Sequence, residues 1–187
     1  MDKLNRAASI ALIIEKHYTH KVPSGKSHYV NFEDCIVVWS IPANKNIAKF
    51  LLPNGGTVWE LSRLWAPDGH RPNLLTQAIS YSVKIIKKLE NPDMLVSYAD
   101  PNAGHLGGVY RAASWIYHGQ SSECRVYRDA FGQTVSRRAF HSGKRSLRKA
   151  EIELLGYKEE KLPGKHRFVK PLLKTAHRQL QLKLKPL

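Results

Sequence analysis

The sequence predicts an α/β protein of the mixed α+β kind, a central mixed β-sheet flanked by helices. Three observations point there. The middle of the chain reads strand, helix, strand, helix, the pattern of crossover connections and of strands that run partly parallel. At 187 residues the chain has room for one ordinary domain around one core. Its 42% hydrophobic content and four Trp belong to a folded chain rather than a disordered one. The expected division is one domain over residues 1–174 and a basic tail over 175–187.

Leu4, Ala7, Ala8, Ala11, Ile14 and Tyr18 recur at three- and four-residue steps, so residues 3–17 read as an amphipathic helix. The apolar run Ala7–Ile14 ends in Glu15-Lys16-His17 without a small-residue cleavage site, which argues against a secretory signal. Pro23, Ser24 and Gly25 mark a loop, and residues 33–40, rich in Ile, Val and Trp, read as a buried strand. Asn54-Gly55-Gly56 is a turn into the next strand, Thr57–Trp65. The two-residue period of a strand places Trp59, Leu61, Arg63 and Trp65 on one face. Residues 66–73 form a loop ending in Asn73, a candidate helix N-cap. Leu75, Ala78, Ile79, Ser82, Ile85, Ile86 and Leu89 then keep helical spacing until Asn91-Pro92-Asp93. Met94–Ala99 is a short apolar strand ending in Asp100-Pro101, and Gly104–Gly108 leads into a helix expected over Val109–Tyr117. In open α/β sheets ligands sit in the crevice outside the strand C-termini, which here carry residues 63–70 and 100–105.

The last third differs. Strands are expected at 123–129 and 133–139 around a turn at Phe131-Gly132. A helix follows over Ser146–Leu155, with Leu147, Ala150 and Leu154 inward and Gly156 at its end, and His166–Val169 is the last strand. The net charge of +15 is concentrated here: residues 1–120 carry +4 and residues 121–187 carry +11. Such an excess, with Arg and aromatic residues interleaved, suits a phosphate backbone and points to DNA as partner. No stretch is long enough to span a membrane, so no membrane partner is expected. Cys35 and Cys124 form neither a disulfide framework nor a CxxC pair, which fits the reducing cytoplasm.

Walker A, HExxH, GxSxG and zinc-ligand spacings are all lacking. The sharpest local feature is Ser97-Tyr-Ala-Asp-Pro-Asn-Ala-Gly-His105, followed by Tyr110 and Trp115. A carboxylate at a strand end beside aromatic rings suits a nucleobase: it can accept hydrogen bonds from an exocyclic amine while a ring stacks on the base. A helix-entry turn at Asp100-Pro101 and a packed Tyr110 account for the same residues equally well. His17, His105 and His166 each neighbour other polar or aromatic groups. Scattered His, Tyr and Asp side chains are candidate iron ligands.

The runs Trp59-Glu-Leu-Ser-Arg-Leu-Trp65, Asn73-Leu-Leu-Thr76, Val96-Ser-Tyr-Ala-Asp-Pro-Asn-Ala-Gly-His-Leu-Gly-Gly-Val-Tyr-Arg-Ala-Ala-Ser-Trp115 and Lys165-His-Arg-Phe-Val169, with an early His17-Tyr18, resemble the Mom family of phage DNA-modification proteins. The resemblance implies a catalytic domain with a GNAT-like acyltransferase fold. It implies conversion of adenine in DNA to N6-carbamoylmethyl-adenine, protection from host restriction, and a place in the host cytoplasm. It implies Asp100, Tyr110, Arg63, Thr76 and His17 as site residues, joined by Tyr18 and His166. It departs from GNAT acetyltransferases at the loop that holds the CoA pyrophosphate. Here that loop is Ala66-Pro-Asp-Gly-His-Arg-Pro-Asn73, with one Gly and two Pro. Proline lacks the N–H that such a cradle needs. Acetyl-CoA is therefore an atypical donor for this chain, and Arg71, Asn73 and Thr76 stand as the positions for an anionic donor. The donor itself is not named by the sequence.

Double-stranded DNA would meet Arg125, Arg128, Arg137, Arg138, Lys144, Arg145 and Arg148, with Lys165, His166 and Arg167 beside them. Two rival function classes stand beside this one. One is a GNAT-type N-acetyltransferase acting on a non-DNA amine, and the other a non-catalytic, basic DNA-binding protein.

Overall fold

The computed structural model describes residues 6–142 and 145–181. Its strands are β1 (Ser27–Phe32), β2 (Cys35–Ser40), β3 (Val58–Trp65), β4 (Met94–Ala99), β5 (Ile116–Gln120), β6 (Cys124–Arg128), β7 (Thr134–Ser136), β8 (His141–Ser142), β9 (Arg145–Ser146), β10 (Lys158–Leu162) and β11 (His166–Pro171). Six of them build the central sheet in the order β1-β2-β3-β4-β11-β5. Only β3 and β4 run parallel within it. A parallel pair needs a crossover, and α3 (Leu74–Glu90) supplies it. The predicted α/β class with a mixed sheet is what the structure shows.

The sheet is covered on both sides because both sides are apolar. Leu74, Ala78, Ile79 and Ile86 of α3 pack on Val37, Trp39, Trp59, Leu61, Leu95 and Phe168. On the opposite side α2 (Ile47–Leu51) and α6 (Lys174–Gln181) bury Ile47, Leu51, Ala176 and Leu180 against Val58, Met94, Val96 and Val169. Near the far end α1 (Arg6–Lys16) sets Ile13 on Ile36, Val38 and Trp65.

Several expectations change. Strand β1 was not foreseen: its one buried residue is Val30, and an edge strand with polar neighbours leaves little periodic signal. The single face proposed for Trp59, Leu61, Arg63 and Trp65 is broken by a β-bulge. Val38 pairs with Arg63 and Trp39 with Leu61, so Ser62 has no opposite number. Trp59 and Leu61 therefore face α3, while Trp65 lies with Ile13 under α1. The helix expected over Val109–Tyr117 is only α4 (Gly108–Ala112), and Ser114 at φ +59 turns the chain into β5. Asn73 occupies the N-cap position of α3 in a left-handed conformation (φ 63), with no capping bond from its side chain. In α5 (Lys149–Leu154) the inward residue is Ile152, fully buried, while Leu154 is 88% exposed. The expected basic tail begins as helix α6, because Ala176 and Leu180 have a core to cover.

Residues 121–165 form an insert between β5 and β11. It holds a second, three-stranded sheet, β10-β6-β7, together with the β8–β9 pair and α5. The insert leaves and returns at one point, where the Ser121 amide donates to the Lys165 carbonyl (2.9 Å) and the Lys165 amide to Ser121 Oγ (2.9 Å).

Candidate functional site

A cavity of about 590 Å³ opens where β3 and β4 end. Parallel neighbours whose following loops diverge leave such a crevice. Its walls come from the end of α1 (Lys16, His17, Tyr18), from β3 and the loop after it (Arg63, Asp68, His70), and from the turn after β4 (His105, Leu106, Tyr110). Residues distant in sequence meet here because α1 lies along the sheet and delivers its last turn to the strand ends.

His17 is buried at 6% exposure, and its Nδ1 receives the Thr19 amide at 3.2 Å. A backbone N–H can only donate, so Nδ1 carries the lone pair and the neutral ring holds its proton on Nε2. Burial, aided by the positive Arg63 and by His105, pushes His17 down to about 4, so the ring is neutral at pH 7. Tyr18 stands between two imidazoles, its ring 4.5 Å from His17 and 5.0 Å from His105, and is 44% exposed. Burial raises its phenol, against the pull of Lys165.

Arg63 lies on the same rim. Its Nε donates to the Lys21 carbonyl at 2.8 Å and Nη1 to the Ser62 carbonyl. No carboxylate lies within ion-pair distance of it among the described residues. Burial lowers the guanidinium from its ordinary value, with Tyr18 and Glu60 opposing the shift, and it stays charged. Glu60, two residues before the Ser62 bulge, is a further partly buried carboxyl, outside the cavity lining. Burial pushes it up, while the Ala43 amide (3.3 Å) and Arg63 hold it down. Sequence reading passed over Glu60. The available signal was a carboxylate between Trp59 and Leu61 in a strand covered on both faces.

Tyr110 is buried against Trp115 (5.5 Å) and Phe168 (5.3 Å). The Ser97 hydroxyl lies 2.8 Å from both the Tyr110 hydroxyl and the Leu61 carbonyl. The carbonyl can only accept, so all three groups are satisfied when Tyr110 donates to Ser97 and Ser97 to Leu61. Burial pushes the Tyr110 phenol up to about 12. It is a neutral, rigidly held hydroxyl whose ring faces are largely occupied by its neighbours.

Asp100 caps the 3-10 turn Pro101–Ala103, its Oδ1 accepting from the Asn102 amide (3.1 Å) and from Asn102 Nδ2 (3.0 Å). Its Oδ2 pairs with Lys165 Nζ at 2.7 Å. Burial works against the Asp100 charge, but Lys165 and Asn102 together outweigh it and hold the carboxyl below its usual range. Asn102 also donates to the Pro163 carbonyl (3.3 Å), so this carboxylate faces the insert; its neighbours Ala99 and Gly104 line the cavity, Asp100 itself does not.

Other candidates lie elsewhere. Thr76 donates to the Asn73 carbonyl (2.8 Å) and lines a separate shallow cleft with Phe32 and Tyr81. Arg71 is taken by Glu33 and by Gln77 Oε1 (2.7 Å), which leaves the loop 66–73 without a free guanidinium. His166 lies beside Tyr117 with the rings tilted, its Nδ1 3.3 Å from the Tyr117 hydroxyl. Of the DNA candidates, Arg167 is held by His118 and lies over Phe50. Arg128 is held by Glu160 and the Gly132 carbonyl (2.7 Å), and Lys165 by Asp100. Arg125, Arg137 and Arg148 are exposed, Arg125 3.8 Å from Glu159. Lys144, with the side chains of Arg138 and Arg145, lies outside the described residues. Among the described residues no three His, Cys, Asp or Glu side chains come together as metal ligands.

A family model described as the Mom protein family matches residues 1–187. The methylcarbamoylase Mom of Escherichia phage Mu is 29% identical over 185 residues, covering 92% of this chain and 75% of the phage Mu protein. With its length matched from end to end, this chain belongs to the Mom family.

Proposed function

We propose that this chain is a phage-type enzyme that converts adenine in DNA to N6-carbamoylmethyl-adenine and so shields the DNA from host restriction. The observation that carries this reading is Arg63, a partly buried cation on a cavity rim with no carboxylate partner among the described residues. An uncompensated charge of this kind suits an anion, either the donor or its leaving group. The related phage Mu protein is a methylcarbamoylase, and the net charge of +15 suits a polyanionic substrate.

The chemistry follows from the groups present. Adenine N6 is a weak nucleophile because its lone pair is delocalised into the ring, and the base must leave the helical stack to reach a cavity. Tyr18, 44% exposed on the cavity wall beside His17 and His105, is the aromatic group a flipped base meets. Asp100, ionised and steadied by Lys165, accepts the N6 hydrogen bond and takes the proton as the bond from N6 to the donor's CH2 carbon forms. The bond between that carbon and the leaving group breaks, and its electron pair departs with the leaving group towards Arg63. His17, protonated on Nε2, serves as a hydrogen-bond donor, not as a base.

Mass spectrometry of nucleosides from plasmid DNA tests this after expression of the chain in bacteria. Deoxyadenosine heavier by one carbamoylmethyl group is expected, lost in Arg63→Ala and Asp100→Ala. Unchanged deoxyadenosine with soluble, DNA-bound protein overturns the reading.

A further inference from the structure

The insert holds an aromatic ring that its own packing does not use. Its interior is made by Tyr127, Phe140 and Tyr157 in edge-to-face contact (5.2 and 5.0 Å), with Ile152 fully buried. Phe131 lies outside that interior and is 91% exposed, the highest value among the exposed large hydrophobic residues. It sits at the apex of the β6–β7 hairpin. The apex is stiff: Asp129 Oδ1 accepts from the amides of Phe131 (2.9 Å) and Gln133 (2.8 Å). The Asp129 amide donates to the Gln133 carbonyl (3.0 Å), and Gly132, at φ +80, donates to the Asp129 carbonyl (3.1 Å). Arg128 ties the Gly132 carbonyl to Glu160 across the sheet. A rigid tip bearing one phenyl ring is a different object from a flexible loop with a stray apolar residue.

The surroundings say what the ring meets. Residues 121–165 carry 11 Lys and Arg against 6 Asp and Glu. Arg137, just past β7, and Arg125 at the base of the hairpin are exposed. Those arginines at the base of the hairpin gather phosphates, and an apolar wedge at its tip enters between base steps, the device by which proteins unstack and kink a duplex. The hairpin springs from Cys124, paired with Leu162, and the next residue, Pro163, accepts from Asn102 beside Asp100, so the hairpin and the turn after β4 share one foot. A protein that works on a base in a cavity must unstack that base, and a wedge entering the same duplex lowers the barrier to doing so. We infer that Phe131 is a DNA-inserting wedge, held by the Asp129 turn, that unstacks the duplex so that an adenine reaches the cavity. This rests on the DNA-modification reading.

The test uses the full chain and a duplex with 2-aminopurine at the target position, whose fluorescence rises on unstacking. Wild type is expected to raise the signal several-fold. Phe131→Ala is expected to lose most of that rise on the duplex, to keep the wild-type affinity for single-stranded DNA, and to keep the thermal midpoint, since the ring supports no packing. Phe131→Trp restores the rise. In cells Phe131→Ala is expected to lower adenine modification at least tenfold. Equal fluorescence with Phe131→Ala, or an unchanged signal on wild-type binding, overturns the wedge. So does a Phe131→Ala variant that stays wild-type on DNA but changes self-association. A wild-type rise that Phe131→Ala removes, with no modified adenine in cells, leaves the wedge standing and overturns the modification reading.

Discussion

The cavity and the insert handle positive charge in opposite ways. At the cavity Arg63 is partly buried, bonded to the Lys21 and Ser62 carbonyls, and lacks a carboxylate partner among the described residues. On the insert Arg128 pairs with Glu160 at the surface, where water and salt weaken the bond, and the exposed Lys149 pairs with the more covered Glu159. A desolvated charge without a partner is unfavourable in the free protein and becomes favourable only when an anion arrives. Paired surface charges shape a field and bind gradually. On the proposed function the first arrangement serves the reaction and the second the docking of DNA.

Four experiments sharpen or break this contrast. Gly107 is at φ +79, and a Cβ there would run into the ring of Phe168 under Tyr110. Gly107→Ala is therefore expected to cost about 3 kcal/mol or more in urea unfolding. Gly132 has a similar φ of +80 but open space around it, so Gly132→Ala is expected to cost only about 1 kcal/mol. Equal losses would mean that the cavity is packed no more tightly than the hairpin. Next, Arg63→Ala is expected to lower adenine modification about 100-fold, and Arg63→Lys not to restore it, because the Nε bond to Lys21 needs a guanidinium. Arg125→Ala is expected to stay within a few-fold of wild type.

The pH dependence separates the regions by window. His17 is depressed to about 4 in the folded state, so between its ordinary 6.5 and about 4 the unfolded chain binds more protons. Stability falls as pH drops through that range, by at most about 1.4 kcal/mol per unit, and His17→Gln flattens the profile. On the insert the Lys149 ammonium holds Glu159 below its ordinary 4.5. That contribution is present above 4.5 and is lost only as pH falls through the lowered value. Thermal melts of wild type and His17→Gln across pH 3.5–7 check both. The smallest effect is electrostatic: Arg125→Ala is expected to reduce the slope of log affinity against log salt by about 0.9 while leaving the melting midpoint unchanged.

The parallel pair β3–β4 and helix α3 were legible because long apolar runs at clear periods sit between strong punctuation, Asn54-Gly55-Gly56 and Asn91-Pro92-Asp93. Their C-terminal ends led to the cavity, and His17, Tyr18, Arg63 and Tyr110 do line it. Three features escaped. The bulge at Ser62 is a pairing event and has no signature in one strand's composition. Asp100 and Arg71 look alike in sequence as charged residues of loops, yet each is held by a partner 65 and 38 positions away along the chain, Lys165 and Glu33. Helix α6 read as a tail because the core that covers Ala176 and Leu180 is built by strands far upstream.

Strands β5 and β11 are antiparallel neighbours, with Gln120 opposite His166, and everything from β6 to β10 is strung between them. A two-residue turn is enough to join such neighbours. The insert is thus a cassette mounted on a hairpin, joined to the turn after β4 through Lys165 and Pro163 at its return end. Relatives could diverge in how they grip a duplex by swapping this cassette while the strand ends that frame the cavity stay in register, and a designer could do the same.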